Sequence, residues 1–378
     1  MSQAGVYIHI PFCRSRCSYC DFATGLYESD LATRYVDAVV AEIQRATIGS
    51  GPTNIDTIYF GGGTPSLLTP DQLARILSAV KEGFAVSADV EITMEMNPGA
   101  LPFEKLQSFR KLGVNRASFG AQTFDDRELA RLGRSHNTAD TLNTFKDLRG
   151  AGFDNISFDL IAGLPGQSLE RWQLNVEQAL NLRPEHLSFY LLEVHAGTPL
   201  AEHIRRGIQP KPDEDVASVM YSFMLERAVE SGYEHYEISN LSRPGFASRH
   251  NTKYWTGVAY FGFGCSAHSY DGKNQRWSND RDINRYLQAL ETGTSPVVEQ
   301  QLLTVEEIRS EAVFLGLRMM RGIDAKRYLD MFGIDLQTAH KSDLSRFVEA
   351  GLLEIEGDSL RLTRTGALMS NEVFAAFV

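Results

Sequence analysis

Hydrophobic positions along this chain fall into short, nearly unbroken runs separated by longer stretches of helical periodicity. The runs at residues 5–10, 56–60, 90–96, 115–120, 155–162 and 186–192 are rich in β-branched and aromatic residues. Such runs read as strands covered on both faces. Between them, Val36, Val39, Val40 and Ile43 recur at helical spacing, as do Leu169, Trp172, Val176 and Ala179. Six strands alternating with helices predict an α/β protein of repeated βαβ units, its parallel sheet curled into a partial (β/α)6 barrel. In barrels of this class the chemistry gathers at the C-terminal strand ends. The residues that follow each run are therefore the ones to inspect.

The first run leads into Cys13-Arg14-Ser15-Arg16-Cys17-Ser18-Tyr19-Cys20, which holds three of the four cysteines. A loop this short can bend three thiolates onto one inorganic centre, and three thiolates leave one position of a four-iron cube unfilled. An iron with an open position can hold a small molecule, by the logic that separates closed from open zinc sites. A zinc knuckle completed by His9 or His268, or a set of buried thiols, would use the same residues differently. The second run ends in Gly61-Gly62-Gly63-Thr64-Pro65, where glycines let backbone N–H groups approach a ligand. The third ends in Glu95-Met96-Asn97-Pro98, placing a carboxylate where a ribose could be held or where a solvated edge residue would sit. The fourth supplies Ser118-Phe119-Gly120-Ala121-Gln122, with Arg134 a helix later. The fifth carries Asp159 inside an apolar strand, a position that demands a partner.

Composition narrows the class. The 378 residues are 43% hydrophobic and 22% charged, with a formal net charge of -11. That balance suits a large globular core and argues against a nucleic-acid surface. No apolar run approaches a membrane span, and the opening MSQAG lacks the basic and apolar parts of a signal peptide. A cytoplasmic protein is expected, and four cysteines, three of them clustered, are too few for a disulfide framework.

The later chain changes character. His250-Asn251-Thr252-Lys253-Tyr254-Trp255 places an imidazole among aromatic side chains. It reads either as an axial ligand beside a flat apolar molecule or as a structural box filling a core. Cys265 reads as a packed small hydrophobe. Thr304-Val305-Glu306-Glu307 forms a capping box, and Ile308, Ala312, Leu315 and Met319 share a face of the helix it opens. Alternation over residues 352–362 predicts a hairpin, followed by a last helix from Thr365. Helices followed by such a hairpin resemble a winged helix whose acidic wing, with Glu354, Glu356 and Asp358, does not suit DNA. Three regions result: a barrel at 1–240, a connecting segment with the histidine box at 241–300, and a winged-helix-like α+β domain at 301–378.

Taken together, Tyr7-Ile8-His9-Ile10-Pro11-Phe12-Cys13, the C-x3-C-x2-C loop, Gly61 to Pro65, Glu95 to Pro98, Ser118 to Gln122 and Asp159 to Pro165 resemble the coproporphyrinogen III dehydrogenase (HemN) branch of the radical S-adenosylmethionine (SAM) proteins. The resemblance covers almost the whole chain. It implies a radical SAM barrel with a [4Fe-4S] cluster ligated by Cys13, Cys17 and Cys20, and with Tyr7 and Tyr19 beside it. It also implies that Gly62, Gly63 and Thr64 contact the methionine part of SAM, while Glu95, Gln122, Arg134 and Asp159 line the rest of that site.

Two departures matter. The dehydrogenase pattern has a further cysteine two residues after the third, where this chain has Asp21 followed by Phe22, and a longer segment before the loop, where twelve residues precede Cys13 here. Both departures, with Tyr236-Glu237-Ile238-Ser239-Asn240 and the H-N-x-x-Y-W box, resemble the HemW group of haem-binding relatives. That group implies a haem carrier on a radical SAM scaffold, with His250 as haem ligand. Its expected partners are haem, a haem-acceptor protein at a membrane, and a second copy in a homodimer, with no nucleic acid. The alternative is an oxygen-independent coproporphyrinogen III dehydrogenase of porphyrin biosynthesis, in which a 5'-deoxyadenosyl radical abstracts hydrogen during decarboxylation.

Overall fold

Strand β1, Ala4–Ile10, buries Val6, Ile8 and Ile10 on one face and turns Gly5, Tyr7 and His9 to the other. This division sets the two sides of the whole sheet. The structure is a computed structural model and describes residues 3–48, 51–99 and 101–377. Five further strands follow with helices between them: β2 Thr53–Gly62, β3 Phe84–Met96, β4 Arg116–Gln122, β5 Ile156–Ala162 and β6 His186–Leu191. All six lie parallel in chain order. The predicted α/β class, with a mostly parallel sheet, is the observed one.

The sheet then continues at both sides. Beyond β6 lie the antiparallel strands β7 Glu234–Glu237 and β8 Asn240–Ser242. Against the open edge of β1 lies β9 Tyr260–Phe263, which pairs parallel from Gly5↔Tyr260 to Ile8↔Phe263. Antiparallel strands β10 His268–Tyr270, β11 Gln275–Asn279 and β12 Val297–Leu302 extend it. The order across the sheet is β12-β11-β10-β9-β1-β2-β3-β4-β5-β6-β8-β7.

The region 241–300 joins this sheet. It supplies five of these twelve strands in whole or part, and Phe263, Cys265, Tyr286, Leu287 and Leu290 share one core with Val6, Ile8 and Phe60. The physical reason is the second edge of β1, whose N–H and C=O groups need partners, and the returning strand β9 supplies them. Glu42, on helix Ser29–Thr47, fastens the return. Its carboxylate accepts from Asn279 Nδ2 at 2.6 Å, Tyr286 Oη at 2.6 Å and the Gly264 N–H at 2.9 Å.

The C-terminal domain has its own core around Val313, Leu317, Leu353, Leu360 and Val373. Helix Val305–Arg318 opens with the expected capping box from Thr304 and Glu307, and the hairpin Leu353–Glu356 with Ser359–Leu362 forms as predicted. A short strand, Ile323–Asp324, adds a third member. The single last helix expected from Thr365 is two short ones, Arg364–Leu368 and Ser370–Phe374. Wing carboxylates Glu354 and Glu356 both pair with Arg361, and Asp358 with Lys326.

Candidate functional site

The cysteine loop leaves the end of β1 and lies over the ends of β2, β3 and β4. Cys13, Cys17 and Cys20 are half-buried, free thiols. Thr64 Oγ1 lies 3.7 Å from Cys13 Sγ and Arg134 Nη1 3.5 Å from Cys17 Sγ, and the Phe22 backbone bonds to the Cys20 thiol. Burial pushes the Cys13 and Cys20 thiols up, and the Thr64 hydroxyl opposes this at Cys13. Among the described residues no three His, Cys, Asp or Glu side chains converge closely enough for a single metal ion. A zinc knuckle with His9 conflicts with that residue's own bonds, Nδ1 to Tyr7 Oη at 3.0 Å and Nε2 to the Ala23 carbonyl at 3.1 Å. Three unshared soft sulfurs on one loop do fit an iron–sulfur cube, which takes each thiolate at a different corner.

The triple glycine follows from crowding. Gly62 has φ +112°, and a Cβ there would lie 2.6 Å from the His9 ring. A Cβ on Gly63 would lie 2.7 Å from the Phe12 carbonyl oxygen and 3.0 Å from Cys13 Sγ. Only glycine lets this turn pass beneath the cysteine loop. The Gly63 N–H donates to Ile10 at 2.8 Å and the Thr64 N–H to Phe12 at 2.7 Å, stitching the two loops together.

Glu95 faces the same space from β3. It accepts from Tyr59 Oη at 2.8 Å and from the Gly62 N–H at 3.0 Å. Burial pushes its carboxyl up to about 7, with the Tyr59 bond pulling the other way. Asp159, on β5, is likewise held above the usual carboxylate range by burial, opposed by a bond from Ser188. Arg134 donates through Nη2 to Asn97 Oδ1 and to the Gly120 carbonyl, both at 2.9 Å. Asn97 Nδ2 in turn donates to Thr64 Oγ1 at 2.8 Å. Gln122 sits at φ +64°, a left-handed conformation unusual for this residue, and its side chain lies over Gly120 beside Arg134. Strain of this kind collects at ligand sites. Tyr7 stacks on Tyr59 with ring centroids 6.1 Å apart, and Tyr19 lies against Arg134.

Thr64 and Arg134 are thus bonded to the thiols and joined through Asn97, Tyr19 and Gln122 lie beside Arg134, and Tyr7, Gly62 and Asp159 lie around Tyr59 and Glu95. Sequence reasoning missed Asn97 as the link between Thr64 and Arg134, and Tyr59 as the partner of Glu95. An Asn before proline at a strand end was the only visible sign. Phe22 stands 63% exposed beside the loop, and Arg281 donates to the Asp21 carbonyl.

His250 lies one ring deeper in the barrel, its centroid 6.4 Å from that of Tyr7 and 5.1 Å from that of Tyr59. Helix Arg249–Trp255 plugs the opposite, N-terminal end of the barrel, its first N–H groups accepted by Glu91 at 3.2 and 3.1 Å. The His250 ring is buried, with Nδ1 at 2.9 Å from Thr57 Oγ1 and Nε2 at 2.9 Å from Tyr254 Oη. Burial lowers it to about 3, so the imidazole stays neutral. Both ring nitrogens are thus engaged, and the ring packs between Tyr59 and Tyr254 with centroids at 5.1 and 5.3 Å. Cys265 is buried against Tyr35 Oη at 3.5 Å, as a small hydrophobe should be.

A thiol loop, a glycine cradle and a carboxylate rim at the C-terminal ends of a parallel partial barrel are the features of the radical SAM class. Residues 7–179 match the family model of the Radical SAM superfamily, and residues 303–369 that of the HemN C-terminal domain. Heme chaperone HemW of Bacillus subtilis (strain 168) is 36% identical over 373 residues, 98% of either chain. Heme chaperone HemW of Lactococcus lactis (strain IL1403) is 34% identical over 372 residues, 98% of this chain and 96% of that one. The chain belongs to the HemW family of radical SAM proteins. The solved structure of coproporphyrinogen III oxidase (HemN) from Escherichia coli covers 99% of this chain and 90% of its own at TM-score 0.85 and 22% identity, a likeness of fold.

Proposed function

We propose that this protein is a haem chaperone that receives haem and passes it to an acceptor protein, on a scaffold that binds one [4Fe-4S] cluster and SAM. One observation carries the reading. The rim around the three thiols keeps its full set of bonded partners, yet the position two beyond Cys20 presents the exposed ring of Phe22 where the dehydrogenase pattern has a thiol. The full-length likeness to two haem chaperones supports the same conclusion.

Cys13, Cys17 and Cys20 would hold the cluster, whose open iron offers a coordination site and one electron when bound. The chain's own part is positioning. Gly62 and Gly63 give backbone access at the methionine end, with Thr64 beside Cys13. Tyr7 and Tyr19 close the sides, and Glu95, Gln122, Arg134 and Asp159 line the remainder. Glu95, its carboxyl pushed up to about 7 and so about half protonated at pH 7, can accept or give a hydrogen bond to a ribose hydroxyl. Among the described residues no helix is long and apolar enough to cross a membrane. We place the protein in the cytoplasm, with a membrane-associated acceptor and a homodimer as further parts of the reading.

The test is anaerobic reconstitution with iron and sulfide, followed by two assays of one sample. Haem binding with no loss of carboxylate from coproporphyrinogen III is expected. Turnover of the porphyrinogen with SAM consumption would reverse the order of the two readings.

A further inference from the structure

A cleft of about 1290 Å³ separates the inner face of β9–β11 from the C-terminal domain. It exceeds the roughly 300–1,000 Å³ of ordinary small-molecule pockets. One wall is aromatic: Tyr254 packs edge-on against Tyr260 with centroids 4.6 Å apart, and Tyr260 lies 6.3 Å from Tyr270. The Trp255 indole N–H faces this region, shut off from water and with no acceptor among the described residues. His268 is the one histidine among the described lining residues. It is exposed at the start of β10, and among the described residues no hydrogen bond or ion pair engages its ring. It also lies near His9, hence toward the cluster loop and away from the barrel's plugged end.

Of the lining carboxylates, Glu311, Asp358 and Glu356 are paired with Arg276, Lys326 and Arg361, while Glu299 accepts from Ser278 and Asp324 caps the Arg327 N–H. Lys273, Arg321 and Arg327 line the cleft with no ion-pair partner among the described residues. A planar apolar body with carboxylates at its edge, and a metal that takes an imidazole, satisfies all three features together.

We propose that haem is seated in this cleft, with His268 as axial ligand to its iron and Lys273, Arg321 and Arg327 taking its propionates; the proposal rests on the chaperone reading. The other exposed candidate, His195, already faces Asp21 at 3.8 Å and Glu193 at 3.7 Å outside the cleft.

The protein reports on itself, because two of its three tryptophans, Trp255 and Trp277, line the cleft and Trp172 is buried in the barrel core. Haemin titrated into cluster-loaded protein should quench this emission and develop an imidazole-ligated absorption band. H268A should bind haemin at least tenfold more weakly, about 1.4 kcal/mol, and lose that band, while H195A leaves both unchanged. Iron-free protoporphyrin IX should bind wild type and H268A alike, since no iron bond is lost, and K273E/R321E should weaken both porphyrins. Equal haemin affinity and spectrum in H268A would overturn the site, as would a loss equal for the iron-free ring. Wild-type protein that binds no haemin at all would overturn the chaperone reading itself.

Discussion

Replacing His250 with alanine removes a ring that is neutral, buried and bonded at both nitrogens. Thr57 Oγ1 and Tyr254 Oη would each lose a partner at 2.9 Å, and a buried polar group left unpaired costs about 1–3 kcal/mol. The imidazole also stacks on Tyr59 at 5.1 Å, so a void opens between Tyr59 and Tyr254. A total near 3–5 kcal/mol follows, with a fall in Tm of several degrees. The pH dependence gives a second signature. Folding lowers this histidine from its usual 6.5 to about 3, so the unfolded chain binds the extra proton throughout that window. Its contribution is present above pH 6.5 and is lost as pH falls toward 3, amounting to about 2 kcal/mol between pH 6.5 and 5. Urea unfolding of H250A and wild type at pH 7 and pH 5 measures this directly. The gap between them should narrow by that amount at pH 5, while haem affinity and spectrum stay the same once the variant is folded at low temperature. A variant with wild-type stability and no haem band would refute the structural assignment.

Three other perturbations test the remaining parts. C17S should lose the iron, the sulfide and the visible spectrum of the reconstituted protein, since an alcohol is a poor ligand for this metal, whereas C265A should keep all three; retention in C17S would mean the cluster is held elsewhere. G62A must adopt φ +112° with its Cβ 2.6 Å from His9, and SAM binding by equilibrium dialysis should weaken at least tenfold; unchanged affinity would remove the cradle from the site. Burial raises Glu42 from 4.5 to about 7, so its contribution is greatest below pH 4.5 and falls by about 3 kcal/mol as pH rises through 7. E42Q adds a fixed cost but should flatten that fall between pH 5 and 8, and parallel stability curves for the two proteins would show that Glu42 does not titrate there.

The strand ends were legible because each carries residues that strands themselves avoid. Cys13 to Cys20, Gly61 to Pro65 and Asn97-Pro98 interrupt hydrophobic runs, and a parallel topology sends all such interruptions to one end. The return strand was not legible. Tyr260-Phe261-Gly262-Phe263-Gly264 has the glycines of a loop, and its membership in the sheet depends on the open edge of β1, far away in sequence. Gly262 is required there because a Cβ would lie 2.3 Å from the His268 carbonyl oxygen. The histidine box is ambiguous for a related reason: a His beside a Tyr and a Trp has the same letters in a ligand pocket and in a core. The letters also leave out the depth of helix Arg249–Trp255 within the barrel, which is set by Glu91 and Thr57 on other strands.

The box nonetheless bears on the cleft through its last residue. Arg318, at the end of helix Val305–Arg318, lies 4.1 Å over the Trp255 ring and 3.9 Å from the buried carboxylate of Glu237. The β7 strand and the C-terminal domain also touch at the Glu237↔Met319 bridge and the Met320 N–H to the Tyr236 carbonyl, 3.0 Å. The two bodies have separate cores, so the width of the cleft between them is set at this seam. One end of the plug helix is fixed under the barrel by His250 and Glu91, and the other carries Trp255 against Arg318. His250 therefore bears on how the cleft is held, by fixing the wall that faces the C-terminal domain.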